Sequence, residues 1–137
     1  MGALGAAALA PPLGVLTALT LLGLSVNDFR ATGAEELAPA LSRLSMLADL
    51  DLSSNTIGPH GGAALAPALG ALTALTRLDI SGNYIGDAGA AQLAPALARL
   101  TALQRLELEA ARGNGVSATG EAALREALPA SVWNAVR

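Results

Sequence analysis

An asparagine recurs every 28 residues, at Asn27, Asn55 and Asn83, and around each one the same apolar pattern repeats in register. Leu75 to Leu100 reads LTRLDISGNYIGDAGAAQLAPALARL. One period upstream, Leu47 to Leu72 reads LADLDLSSNTIGPHGGAALAPALGAL, and two periods upstream Leu19 to Leu44 reads LTLLGLSVNDFRATGAEELAPALSRL. Each unit has Leu at its first and fourth positions, Leu or Ile at the sixth, Asn at the ninth and an apolar residue at the eleventh (Phe29, Ile57, Ile85). A unit this short cannot bury its own apolar face. Stacking in-register copies buries a continuous core, and little else would.

The LxxLxLxxN half of the unit resembles the leucine-rich repeat family. The length of 28, with the G-x-x-G-A-x-x-L-A-x-A-L half that follows, is similar to the ribonuclease-inhibitor-like class of that family. The resemblance implies an α/β fold: a leucine-rich repeat solenoid, a right-handed β-α superhelix with a parallel sheet on its concave side and helices on its convex side. The period divides residues 1–137, one leucine-rich repeat domain, into a partial N-terminal repeat over 1–18 and full repeats over 19–46, 47–74 and 75–102. An irregular repeat over 103–128 and a C-terminal cap over 129–137 complete it.

The LxxLxL portion alternates with period two, so Leu50 and Leu52 point inward while Asp49, Asp51 and Ser53 point outward. The asparagines are expected to stack and to bond main-chain groups that the turn after each strand would otherwise bury unpaired. In the second half, Ala90, Leu93, Leu97 and Leu100 mark one face of a helix packed on the sheet. Pro39, Pro67 and Pro95, with Pro11 ahead of them, fall within that helical half at one register. An interior proline costs about 3 kcal/mol and kinks or breaks a helix, so a bend on the convex face is expected there.

Both ends depart from the period. Leu9 to Ala18 aligns with Leu65 to Ala74 two repeat lengths away, so residues 1–18 read as a helical half without its own strand. No charged side chain occurs from Met1 to Asn27, yet the cationic start of a signal peptide is missing, and the repeat explains the segment better than a targeting or membrane role. A solenoid end normally carries a polar outer face. This apolar one points to a contact with a partner, a preceding domain or a further segment. In the fourth copy Leu103, Leu106 and Leu108 fit the strand, but the ninth position is Ala111, and the asparagine returns as Asn114 after about three inserted residues between Glu109 and Gly113. Trp133, the one tryptophan, is expected to cover the exposed core of the last repeat.

Several function classes find no support in the residues. Cysteine is absent, which removes disulfides, zinc thiolates and cysteine nucleophiles. His60, the one histidine, lies in Gly58-Pro59-His60-Gly61, read as an exposed turn before a helix, with no nucleophile and acid set indicated around it. Gly61-Gly62 follows no strand in a phosphate-binding motif, and metal-ligand spacing is missing. No catalytic residue, metal site or cofactor is assigned. All 8 basic residues are Arg, and against 11 acids they leave a net charge of −3, which argues against nucleic acid as a partner.

The surface that carries specific chemistry is the outward face of the strands. Read across the copies, its columns are Leu21, Asp49, Arg77, Arg105; then Gly23, Asp51, Asp79, Glu107; then Ser25, Ser53, Ser81, Glu109. Strands lie about 4.8 Å apart, so the second column is an acidic ladder flanked by an arginine pair. Asp49, Asp51, Ser53, Arg77, Asp79, Ser81, Arg105, Glu107 and Glu109 form the candidate contact surface for a protein partner, one with a basic segment. The expected function is a non-enzymatic protein-interaction or scaffold module, in an intracellular protein as the resemblance implies, and with no membrane contact. The alternatives are a regulator of a small GTPase, because one branch of the family activates such a protein, and a structural subunit that packs into a larger assembly through its N-terminal repeat.

Overall fold

The computed structural model describes residues 1–109 and 113–133. Strand and helix alternate along it: α1 (Gly2–Leu13), β1 (Leu21–Gly23), α2 (Arg30–Leu41), β2 (Asp49–Asp51), α3 (Gly58–Ala71), β3 (Arg77–Asp79), α4 (Gly86–Leu97), β4 (Arg105–Glu107), α5 (Ala118–Ala127) and a short α6 (Ala130–Trp133). The strands form one parallel sheet in the order β1-β2-β3-β4. Its register is that of the repeat: Leu21 pairs with Asp49, Asp49 with Arg77, and Arg77 with Arg105. The helices make a second layer in which each packs on the next, from α1 to α5.

The core lies between the layers and is filled by columns. Leu50, Leu78 and Leu106 point into it from the strand centres, and Leu41, Leu69 and Leu97 meet them from the helix ends; all are buried. Alanine and glycine on the helices let these layers close up. At Gly61 an added Cβ would lie 2.5 Å from Ile57 Cγ2 and 3.1 Å from the Ala31 Cα of the preceding helix, and Gly89 occupies the same position one unit on. Gly61-Gly62 therefore sits inside α3 as a close-approach site. His60 likewise belongs to the first turn of that helix, which begins at Gly58, and is exposed there.

The asparagines form a ladder through the core. Asn83 Nδ2 donates to the carbonyls of Leu52, Ile80 and Ser81, while its Oδ1 accepts the main-chain N–H of Asn55 at 2.8 Å. Asn55 Oδ1 accepts from Asn27 N–H, and Asn114 Oδ1 from Asn83 N–H, so each rung holds the loop of the layer before it. Asn114 thus keeps the ladder's place despite standing 31 residues after Asn83, as three inserted residues require. Residues 110–112, Ala111 among them, lie outside the described residues. The ladder also fixes backbone angles that the local residues would not choose. Val26, Asp28 and Arg30 have φ of 57°, 51° and 59°, and Thr56 and Tyr84 both have 57°, a region that β-branched and bulky residues avoid.

The prolines do not break the helices. Pro39, Pro67 and Pro95 are exposed on the outer face of α2, α3 and α4, inside helices that continue to Leu41, Ala71 and Leu97. Each falls close to the helix end, and the helix runs on past it, so the recurring proline is accommodated without a break. At the C-terminal end Val132 is buried and Trp133 packs against the core, with the Arg125 guanidinium 4.8 Å from the indole centroid. Asn134 to Arg137 lie outside the described residues.

Candidate functional site

Each strand is three residues long and parallel to its neighbours, so its first and third side chains emerge from the outer face while the second enters the core. That geometry brings eight of the candidate residues onto one surface: Asp49, Asp51 and Ser53 at β2, Arg77, Asp79 and Ser81 at β3, and Arg105 and Glu107 at β4. Glu109 follows β4 at φ 43°, exposed, where its carbonyl accepts the N–H groups of Gly113 and Asn114 across the insertion. Position 113 requires glycine, because a Cβ there would lie 2.7 Å from the Gly82 nitrogen.

The charges on this surface fall into two groups. In one, Arg77 spans the sheet. Its Nη2 donates to Glu107 Oε1 at 2.9 Å, its Nη1 lies 3.7 Å from Asp49 Oδ2, and Arg105 Nε reaches the same Glu107 oxygen at 3.0 Å. The hydrogen bond to Glu107, and then the charges of Asp49 and Glu107, raise the Arg77 pKa above its ordinary value. Pairs this exposed stabilise little on their own; their effect is to hold two guanidinium groups flat on the sheet.

The other group is Asp51 and Asp79, which stand in register on adjacent strands. Asp51 Oδ1 accepts from both the main-chain N–H of Ser53 (2.9 Å) and its hydroxyl (2.7 Å). Asp79 does the same with Ser81, at 3.0 Å to the N–H and by a short bond to the hydroxyl. These serines, a third surface column in the sequence, thus also orient the carboxylates of the second. An Asp two residues before a Ser at the end of a strand is the visible signal for that turn. Glu107 has Glu109 in place of the serine and turns to the arginines instead. Among the described residues no ion pair includes Asp51 or Asp79.

The surface changes along the stack. At β1 it is uncharged, with Leu21 63% exposed beside Gly23 and Ser25. From β2 to Glu109 it carries five carboxylates against two guanidinium groups. Tyr84, 65% exposed on the loop after β3, is not among the residues that the strand columns single out; as the one large aromatic at a position filled elsewhere by Asp28, Thr56 and Gly115, it is detectable by comparing units. Grooves on the opposite, helical face run between successive helices and are lined by Pro11, Pro39 and Arg43 in one case and Pro67, Pro95 and Arg99 in another. They share no residue with the charged surface. Among the described residues no helix is long and apolar enough to cross a membrane.

A leucine-rich repeat model matches residues 43–66 and 71–94, two consecutive units. With the parallel sheet and alternating helices built on the 28-residue period, this makes the chain a leucine-rich repeat protein. Repeats of this family generally mediate protein–protein interaction and are typically non-enzymatic modules. No curated protein matches the chain.

Proposed function

We propose that this chain is a protein-binding module of the ribonuclease-inhibitor-like class, and that it takes a basic segment of its partner on the outer face of β2 to β4. The observation that carries the reading is the Asp51 and Asp79 pair. Two like charges about 4.8 Å apart repel, and each is held in place by its serine with one carboxylate oxygen still free for a ligand. A lysine or arginine side chain laid across the two strands relieves the repulsion and gains charge-assisted hydrogen bonds. The Arg77 and Arg105 guanidinium groups, held by Glu107, border the pair on one side and set the partner's register. Electrostatics of this kind contributes orientation and association rate more than affinity, so capture weakens as salt rises.

The test is a lysate capture with the wild-type chain and with Asp51→Asn, Asp79→Asn, Glu107→Gln combined. The amide at 51 and 79 can still accept from the serines, so the fold is retained, as matched thermal melts should show. A partner held by the wild-type chain at low salt and lost from the variant supports the reading. The same partner held equally by both overturns it.

A further inference from the structure

We infer that the outer face of β2 to β4 also holds an anion-taking subsite at Arg105, so that the partner's segment carries an acidic residue two positions from its basic one. This rests on the reading above, in which Asp51 and Asp79 take the basic residue, and it names the second side chain that the same face selects. The two arginines of the face are held differently. Arg77 lies between carboxylates, with Nη2 on Glu107 at 2.9 Å and Nη1 3.7 Å from Asp49. Arg105 reaches Glu107 through Nε alone, at 3.0 Å, and on the oxygen that Arg77 already uses. Among the described residues no carboxylate lies against either Nη nitrogen of Arg105.

One edge of a guanidinium group is thereby left for a ligand. Its two Nη nitrogens form the fork that donates to both oxygens of a carboxylate at once. The Nε contact to Glu107 holds the plane of that fork before a partner arrives, which lowers the ordering cost of binding. The Arg105 side chain is 49% exposed and that of Glu107 21%, so the guanidinium is the more accessible of the two.

The distance between the two subsites sets the spacing in the partner. Asp51 pairs in register with Asp79, and Asp79 with Glu107, so the cation site centred between β2 and β3 lies one and a half strand spacings, roughly 7 Å, from β4. The bond to Glu107 draws the Arg105 guanidinium along β4 towards the Glu107 row, which keeps the offset along the strands small. In an extended segment, side chains two residues apart emerge on one face about 6.6 Å apart, while adjacent residues face opposite ways and residues four apart lie about 13 Å apart. A basic residue over Asp51 and Asp79 therefore puts the side chain two positions away at the Arg105 fork. There Asp or Glu gains a bidentate pair, whereas a second Lys or Arg meets guanidinium groups of its own sign. The acidic residue of the partner is selected locally and against the field of the whole chain, whose net charge is −3.

The test is an NMR titration of the isotope-labelled 137-residue chain at low ionic strength with capped glycine-serine peptides built around Arg-Ser-Glu, Arg-Ser-Gln or Arg-Glu-Ser. The long-range field favours the glutamine peptide, which carries the higher positive charge, so an advantage for glutamate reports the subsite. The Arg-Ser-Glu peptide should bind about fivefold more tightly than Arg-Ser-Gln and should move the Arg105 Nε–H resonance. Arg-Glu-Ser should lose that advantage. Arg105→Glu should invert the order, leaving Arg-Ser-Gln the tighter, a result that loss of folding does not produce. Asp51→Asn combined with Asp79→Asn should weaken all three peptides. If the peptides bind through Asp51 and Asp79 but glutamate adds nothing, or if its advantage survives Arg105→Glu, the inference is overturned and the proposed function stands. If no peptide binds, or binding ignores Asp51 and Asp79, both fall. An Arg105 resonance that moves on dilution of the free chain puts a second copy on this face and overturns the assignment of a partner segment to it.

Discussion

The two ends of the stack close differently. At the C-terminal end α5 and α6 fold over β4, Val132 is buried, and Trp133 lies on the core beneath the Arg125 guanidinium. At the N-terminal end α1 packs on α2, and among the described residues β1 pairs with β2 alone. Core residues identical in sequence register then live in different surroundings: Asn55, Asn83 and Asn114 are fully buried and Asn27 is not, Leu78 is buried and Leu22 only half so. Stability in a repeat stack is a sum of unit and neighbour terms. The same substitution made in two layers therefore measures what the missing neighbour contributes.

The largest contrast is expected in the ladder. Asn83→Ala strands the main-chain N–H groups of Asn55 and Ile57, while the carbonyls of Leu52, Ile80 and Ser81 keep the Asn55 and Asn114 amides and the Ser54 N–H as donors. It should cost about 4 kcal/mol in denaturant unfolding. Asn27→Ala strands no main-chain N–H among the described residues; it takes one donor from the Ser25 carbonyl and leaves that of Leu24 with the Asn55 amide, and should cost about 1 kcal/mol. Equal losses would break the comparison. Next comes the strand column: Leu78→Ala should lose about 3 kcal/mol to cavity formation, and Leu22→Ala about 1 kcal/mol at its open site. Trp133→Ala, which uncovers the C-terminal end, should lose about 2 kcal/mol. If it loses nothing, that end is as open as the other.

The smallest effect is at the joint between α4 and α5. Asp87 accepts from the Ser117 N–H (2.7 Å) and hydroxyl (2.6 Å), and these hydrogen bonds hold its pKa below the ordinary value of 3.8. A depressed carboxylate pKa stabilises the fold above the unfolded-state pKa, and that contribution is lost as pH falls through the folded-state value. Ser117→Ala should raise the Asp87 pKa towards its ordinary value, as read by NMR titration, and should flatten the acid limb of stability below about pH 4. An unmoved Asp87 titration would show that the bond does not persist in solution.

Much of this architecture was legible because it repeats. The period places Leu50, Leu78 and Leu106 in one column and the asparagines in one ladder, and a 31-residue step to Asn114 reveals the insertion without any structure. What the period hides is set by contacts across layers. Nothing in Val26, Thr56 or Tyr84 favours a left-handed backbone; the asparagine of the following layer imposes it. Pro39, Pro67 and Pro95 were legible as a recurring feature that the helices accommodate, but not the position of each near a helix end. The charged face was legible as columns, but not the division of its acids. Asp51 and Asp79 are tied by serines along their own strand, while Glu107 is drawn to arginines on β3 and β4, a choice decided by side-chain reach.

The most direct test of the open and closed ends is native-state hydrogen exchange at three equivalent amides. Leu24, Leu52 and Ile80 donate to Asp51, Asp79 and Glu107 at 2.8, 2.8 and 2.9 Å, so differences among them report the surrounding layers and not the bonds. Protection should be lower at Leu24 than at Leu52 and Ile80. Uniform protection in the free chain, or protection highest at Leu24, would contradict an open N-terminal end.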